Sequence, residues 1–343
     1  MTALDEAAAA IASAGTVALA CHAFPDGDAL GSMLGLHHLC RSQGRSSVAA
    51  WPEPDQVAPH YRFLPGLDTV TRAAEFPARP DVMVTFDCGS PDRLGRLEPA
   101  ARAAGQLIVL DHHATAVPFG TINVIDPAAA ATAVVVRRLA ERLGWPLNRE
   151  AAECLYVGLV TDTGSFRHDN TTAEVFLLAA ELASFGLPIA RDSRQLFSKH
   201  RFAYLGLAAE CLAGARLDAD LGLVTAVVRR ADLERFGVGM DETEGLIDLV
   251  RTTAEAEVAA VAKEFPDRVK VSLRSVERVD VGRIAAGLGG GGHRFAGGFD
   301  YRGTAEAALE AVAAALRGEA AESMRGEAAE SMRGEAAEAE PKR

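Results

Sequence analysis

The run Asp81–Phe86 (Asp-Val-Met-Val-Thr-Phe) is apolar at almost every position. A strand of that kind needs cover on both faces, the condition of a parallel sheet packed between helices. Gln106–Leu110 repeats the pattern, and Thr16–His22 and Ser47–Trp51 are further short strands. Helix-like stretches alternate with them at Ala3–Ala14, Ala29–Arg41 and Leu97–Ala104. The alternation predicts an α/β fold: a mostly parallel sheet with helices on both faces. Residues 52–80 are proline-rich and irregular and predict a loop with room for one helix.

Three more helices are predicted at Ala129–Leu143, Arg149–Thr161 and Thr171–Phe185. The last meets Gly186 and Pro188, a good C-terminal stop. After Gly214 the pattern changes, with strands expected at Leu221–Val228, Val258–Phe265 and Val269–Arg274. Helices are expected near 231–237, 243–250, 281–287 and 304–316, giving a second, smaller α/β domain with a mixed sheet. A length of 343 residues also favours two domains. The expected division is a first domain over 1–186, a helical connector over 187–213, a second domain over 214–318 and a tail over 319–343. The octet Arg-Gly-Glu-Ala-Ala-Glu-Ser-Met fills 317–324 and again 325–332, so the tail is expected to be disordered.

The formal net charge is −12. A binder of long duplex nucleic acid normally presents a basic face, so that class is disfavoured. Small phosphates, captured by metals and a few arginines, fit better. No apolar run is long enough to span a bilayer, so no membrane role is expected. The first residues carry Asp5 and Glu6 and no basic stretch, unlike a secretory signal. Cys21, Cys40, Cys88, Cys154 and Cys211 form no Cys-x-x-Cys pair, which suits reduced thiols in a cytoplasm.

Chemistry gathers at the strand ends. His22, Asp26 and Asp28 lie on the turn after the first strand, Asp87 follows Phe86, and Asp111-His112-His113 follow Leu110. Asp162 follows a helix. In a parallel sheet all strand C-termini share one edge, so these groups can converge. Two imidazoles (His22, His112) and four carboxylates (Asp26, Asp28, Asp87, Asp162) exceed the four ligands of a structural zinc. Such a set suits two oxygen-preferring divalent ions, Mn²⁺ first, with Mg²⁺ or Co²⁺ as substitutes. A metal pair points to hydrolysis of a phosphate ester or anhydride. Each motif alone has an ordinary explanation: Asp-x-Asp as a turn, His-His as a surface pair, an Asp as a helix cap. In the second half, Gly289–Gly292 followed by His293 and Arg294 offers backbone N–H groups to a phosphate, with Arg274 on a nearby strand.

These motifs together resemble the DHH phosphoesterases that carry a DHH-associated C-terminal domain. Within that family they are most similar to the bifunctional oligoribonuclease and 3′-phosphoadenosine 5′-phosphate phosphatase (nanoRNase) type. The similarity runs in order through about residues 8–316. The resemblance implies that His22, Asp26 and Asp87 hold one Mn²⁺, while Asp28, Asp87, His112 and Asp162 hold the other. It makes His113 the group on the scissile phosphate, with Asp111 orienting the histidine pair. It assigns substrate binding to Arg274, Ser275, Gly290, Gly291, Gly292 and His293, and it places the active site in the interdomain cleft of a homodimer's subunits. One stretch departs from the family: Ala128–Ala131 stand where relatives carry serines, and no glutamate follows, though Thr132 remains.

The substrates so implied are short oligoribonucleotides of two to five residues, linear dinucleotides such as pApA, and 3′-phosphoadenosine 5′-phosphate. Cyclic di-AMP hydrolysis is the runner-up. An inorganic pyrophosphatase would want paired basic residues in its second domain, and a non-catalytic nucleotide sensor would not need all six ligands. The repeat tail has no place in this chemistry. Deleting 319–343 is expected to leave activity nearly unchanged; a large loss would show that the tail takes part.

Overall fold

Each apolar strand finds its cover in order along the chain. The computed structural model describes residues 2–53 and 56–318; the tail over 319–343 lies outside the described residues, as does the side chain of His293. Helix α1 (Ala3–Ser13) opens the chain on a Thr2–Asp5 capping box. It leads into β1 (Thr16–Cys21), α2 (Gly27–Ser42) and β2 (Ser46–Ala50). Then come β3 (Val82–Phe86), α3 (Glu98–Arg102), β4 (Gln106–Asp111) and β5 (Ile122–Ile125). Four helices complete the first unit: α4 (Thr132–Leu143), α5 (Arg149–Asp162), α6 (Ala173–Ala183) and α7 (Ile189–Phe197).

The five strands form one parallel sheet in the order β2-β1-β3-β4-β5. The order reverses between β1 and β3, and open α/β sheets bind ligands in the crevice at such a switch point. Alternation along β1 shows why both faces are apolar. Val17, Leu19 and Cys21 join the core built with α1, α2, α4 and α5, while Ala18 and Ala20 face the layer of α3 and Leu94. All five cysteines are free and buried. Residues 56–80 hold two single-turn 3₁₀ segments, Pro59–Tyr61 and Ala73–Glu75, and no α-helix. The sequence did not announce β5, a four-residue edge strand held between Gly120 and Asp126-Pro127.

Helices α2 and α5 meet through glycine. Gly27, Gly31 and Gly35 recur every fourth residue on α2 and so share one face. A Cβ on Gly31 would stand 2.3 Å from the Cys154 carbonyl oxygen and 2.9 Å from the Gly158 nitrogen. A Cβ on Gly27 would stand 2.5 Å from the Thr161 side chain. Only hydrogen fits, so the two backbones approach directly.

The chain divides into compact units between Lys199 and His200, with α7 in the first and α8 (Phe202–Ala213) in the second. The second unit continues with β6 (Arg216–Asp218), β7 (Leu223–Val228), α9 (Arg230–Phe236) and α10 (Leu246–Val250). It ends with β8 (Val258–Glu264), β9 (Val269–Ser275), α11 (Val281–Gly287), β10 (Gly291–His293), β11 (Ala296–Tyr301) and α12 (305–318). Its six-stranded sheet has the order β10-β11-β9-β8-β7-β6, with β7 and β8 parallel and the other pairs antiparallel. One face packs on α11 and α12, the other on α8, α9 and α10. The glycine run proves to be a hairpin: Gly291 pairs with Gly298 and His293 with Ala296. A Cβ at Gly290 would stand 2.1 Å from the Gly298 oxygen, and one at Gly292 (φ +143°) 2.3 Å from the Ala296 oxygen. Gly290 and Gly292 are thus required by close backbone approach, which composition alone could not reveal.

The α2–α5 contact yields a test. Gly31→Ala must push the helices apart and is expected to cost about 1–3 kcal/mol. Thermal unfolding should show a fall in Tm of about 2–4 °C per kcal/mol for a domain of this size. An unchanged Tm would contradict the close approach.

Candidate metal centre

The C-terminal edge of the first sheet collects the expected side chains. Cys21 and Phe86 are register partners on β1 and β3, and Phe86 and Leu110 on β3 and β4. His22, Asp87 and Asp111 therefore emerge at one level on three adjacent strands. Asp87 takes a positive φ of 55°, uncommon outside glycine, and its N–H donates to the Leu110 carbonyl at 3.0 Å. That bend turns the carboxylate inward, where it is 2% exposed.

Asp26 performs two tasks. It caps α2, with Oδ1 accepting from the Ala29 N–H at 3.0 Å, and Oδ2 is left facing His22 at 3.7 Å. Asp28 lies in the first turn of α2, fully buried. Asp162 is the last residue of α5 rather than the residue after it. Beyond it, Gly164, Ser165 and Phe166 all take positive φ, and Asn170 Nδ2 donates to the carbonyls of Asp162 and Ala130 at 3.1 and 3.0 Å.

Three trios of side chains each bring their donor atoms within 4.8 Å: His22 with Asp26 and Asp87, Asp28 with His112 and Asp162, and Asp87 with His112 and His113. His22 Nδ1 is 2.8 Å from the Ala23 carbonyl, which aims Nε2 at the carboxylates. That Nε2 is buried and has no hydrogen-bond partner; Asp87 Oδ2 is 3.6 Å away and Asp26 Oδ2 3.7 Å. These gaps are too long for hydrogen bonds. They suit donor atoms grouped around one ion at bond lengths of about 2.1 Å. His112 follows the same design, with Nδ1 at 3.1 Å from the Ala129 carbonyl. Its Nε2 faces Asp162 at 3.0 Å, Asp87 at 3.5 Å and Asp28 at 3.8 Å. A buried set of imidazole and carboxylate donors with one orphaned nitrogen fits divalent ions.

The charges in the cluster follow from burial and mutual attraction. Burial and Arg93 oppose a charge on His22, yet the Asp26 and Asp87 carboxylates hold its pKa up at about 9. Burial also opposes the charge on His112, and Asp162, Asp87 and Asp28 outweigh it, lifting the group to about 11. Against burial, His113, His22 and His112 keep Asp87 well below the usual carboxylate range. Burial and then the Asp162 and Asp87 carboxylates push Asp28 up.

Helix α4 was not foreseen as part of the site. Its first backbone N–H groups, Thr132 and Ala133, donate to Asp28 at 2.6 and 3.0 Å, and Ser32 Oγ donates at 3.1 Å. Thr132 Oγ1 also donates to Asp87 at 3.1 Å. The retained Thr132 was the available signal. Asp111 Oδ1 accepts from the His113 backbone N–H at 2.8 Å and lies 2.7 Å from its Nδ1.

The second unit carries the residues expected to hold substrate on neighbouring strands: Arg274 of β9 pairs with Ala296 of β11, which pairs with His293 of β10. Arg274 is half-buried on β9, with Nη1 donating to the Leu273 carbonyl at 3.0 Å. Ser275 beside it is 1% exposed and donates its hydroxyl to the Val279 carbonyl at 2.7 Å. Gly290 precedes β10, and Gly291 and Gly292 lie on it.

Comparison with known proteins gives matches across both units. The family model described as "DHH family, N-terminal domain" matches residues 16–159, and the one described as "DHHA1 domain" matches 221–321. The bifunctional oligoribonuclease and PAP phosphatase NrnA of Thermus thermophilus is 33% identical over 306 residues, covering 89% of this chain and 90% of that protein. The protein of the same name from Bacillus subtilis is 26% identical over 287 residues, 82% of this chain and 88% of its own. The crystal structure of an exopolyphosphatase-related protein from Bacteroides fragilis superposes with a TM-score of 0.84, at 26% identity, over 92% of this chain and 95% of that one.

The raised pKa values of His22 and His112 mean that the metal-free cluster holds protons where cations would bind. Entering ions must expel them, so affinity is expected to rise with pH through about 9, where His22 loses its proton, and on to about 11, where His112 does. Calorimetric titration of Mn²⁺ near neutral pH, repeated in two buffers of different ionisation enthalpy, should show net proton release. Zero release would refute this account of the cluster.

Proposed function

The chain belongs to the DHH family of phosphoesterases, and on that premise we propose that it is a metal-dependent hydrolase of very short nucleotides. Its substrates are linear dinucleotides such as pApA, oligoribonucleotides of two to five residues, and 3′-phosphoadenosine 5′-phosphate. The observation that carries the reading is the position of Asp87. It belongs to one donor trio with His22 and Asp26 and to another with His112 and His113.

In this reading His22, Asp26 and Asp87 hold one ion, and Asp28, Asp87, His112 and Asp162 hold the second. Two divalent ions, when bound, polarise a phosphoryl group and lower the pKa of a water. Mn²⁺ is the preferred ion for this mixture of carboxylate and imidazole, with Mg²⁺ and Co²⁺ as substitutes. The protein's own groups do the positioning. The α4 N–H groups and Ser32 fix Asp28 through three hydrogen bonds. Asp111 anchors His113 through Nδ1. Burial opposes a charge on His113, but Asp87 and Asp111 raise its pKa, so it can carry a proton. Its Nε2 is then the atom that gives the proton to the leaving oxygen, and Asp111 keeps the ring oriented while it does so.

The test is a parallel assay of the full chain with Mn²⁺ on pApA, 3′-phosphoadenosine 5′-phosphate, cyclic di-AMP and pyrophosphate. The first two are expected to be the good substrates. Cyclic di-AMP hydrolysed as fast as pApA, or pyrophosphate as the preferred substrate, would overturn the assignment. Asp87→Ala and Asp28→Ala are each expected to lower kcat by about 10³-fold or more, the scale of losing a central catalytic group. Turnover that survives either change in a folded variant would refute the two-metal site.

A further inference from the structure

The chain beyond α5 turns back on itself and returns to Asp162. It passes through Gly164, Ser165 and Phe166, all at positive φ. Two of these carry side chains, and such a conformation persists only where surrounding contacts impose it. The contacts are present. The Arg167 and His168 N–H groups donate to the Thr163 carbonyl at 2.9 and 3.1 Å, and the Phe166 ring stacks on Phe176 of α6 with centroids 5.5 Å apart. The turn brings Asn170 beside the end of α5.

Asn170 spends both amide hydrogens there. Nδ2 donates to the Ala130 carbonyl at 3.0 Å and to the Asp162 carbonyl at 3.1 Å. An amide nitrogen has no further donor. The reversed amide would set Oδ1 against two carbonyl oxygens, so the pair of bonds fixes the orientation. Asp162 ends α5, and its carbonyl is among the last four that a helix leaves without an intrahelical partner. Oδ1 is buried and accepts no hydrogen bond among the described residues. The side chain is therefore held by what it donates.

The two carbonyls belong to the two segments that frame one donor trio. Asp162 is itself a member, with Asp28 and His112. Ala130 lies in the run that leads into α4. In that run the Ala129 carbonyl is 3.1 Å from His112 Nδ1, and the Thr132 and Ala133 N–H groups donate to Asp28. All three members are thus tied, at one remove, to the carbonyls that Asn170 bridges. The trio of His22, Asp26 and Asp87 is braced differently. His22 Nδ1 lies beside the Ala23 carbonyl, Asp26 caps α2 at Ala29, and the Asp87 N–H donates to Leu110.

We propose that Asn170 is a positioning residue for the metal site of Asp28, His112 and Asp162, setting the separation between the end of α5 and the start of α4. It is not a ligand; it acts through the backbone of the residues that are. The inference rests on the two-metal reading above and adds the residue that fixes one of the two sites.

The experiment isolates each site in the full chain and reads Mn²⁺ binding by calorimetry. His22→Ala leaves the site framed by Asn170, and Asp162→Ala leaves the other while keeping the main-chain carbonyl at that position. Added to His22→Ala, Asn170→Ala is expected to weaken Mn²⁺ binding about 10–100-fold, the scale of losing a hydrogen bond that orients a ligand. Added to Asp162→Ala, it should change affinity less than about twofold. Equal losses in both backgrounds, or none in either, would overturn the assignment. Asn170→Leu keeps most of the volume without the donors and should reproduce the selective loss; wild-type affinity in Asn170→Leu would also overturn it. Should Asn170→Ala fail to fold by circular dichroism, Asn170→Leu decides by the same comparison. In the otherwise unchanged chain, Asn170→Ala should lower kcat for pApA at limiting Mn²⁺, recover at saturating Mn²⁺ and keep KM within about twofold. A raised KM at full Mn²⁺ affinity would place Asn170 on the substrate and refute the positioning role. A chain that shows the selective loss of Mn²⁺ yet cleaves no nucleotide would keep that role and remove only the proposed reaction.

Discussion

The glycine contact between α2 and α5 governs the first unit. Gly27, Gly31 and Gly35 give α2 a face without side chains, and Gly158 does the same for α5. A Cβ on Gly158 would stand 2.7 Å from Asp28 Oδ1 and 3.0 Å from the Ala133 Cβ. The contact therefore does more than pack two helices. It leaves room for a carboxylate from the first turn of α2 at a three-helix junction, within reach of Asp162 at the end of α5. Bulk there would separate the donors that the strand ends bring together.

Asp28 shows how such a buried acid is tolerated. Burial and two neighbouring carboxylates disfavour its charge. Backbone N–H groups at the start of α4 supply the compensating dipoles, and that helix end has positive character. The run Ala128–Ala131 carries no hydroxyl, yet the backbone donors do not depend on side-chain identity. Only Thr132 retains a hydroxyl role, on Asp87. The donor set on Asp28 needs no side chain from that run because the main chain carries most of the contacts.

The second unit obeys a simpler rule. Period-two alternation sends Arg274 and Ser275 to opposite faces although they are adjacent. Ser275 joins the apolar layer under α11 and α12, and Arg274 stands on the face away from it. A motif written as consecutive letters treats the two as one group; the pleat separates them. The glycine run likewise looks like an exposed loop and proves to be a tight hairpin, whose backbone approaches at Gly290 and Gly292 leave no space for a Cβ.

What the sequence determined by itself was local or periodic. Apolar runs marked β1, β3 and β4, and the chemistry-bearing residues after them were legible because parallel strands must end on one edge. The ligand candidates His22, Asp26, Asp28, Asp87, His112 and Asp162 could be named because residue type and strand position sufficed. The tertiary structure decided what depends on residues distant in sequence. It set the strand order that puts the switch point between β1 and β3, and it aimed α4 at Asp28, 104 residues away. It set Asp111 Oδ1 beside His113 Nδ1 and the Ala129 carbonyl beside His112 Nδ1. The short edge strands β5, β6 and β10 also belong to it, since three or four residues carry too little periodicity to declare a strand before a partner supplies the hydrogen bonds.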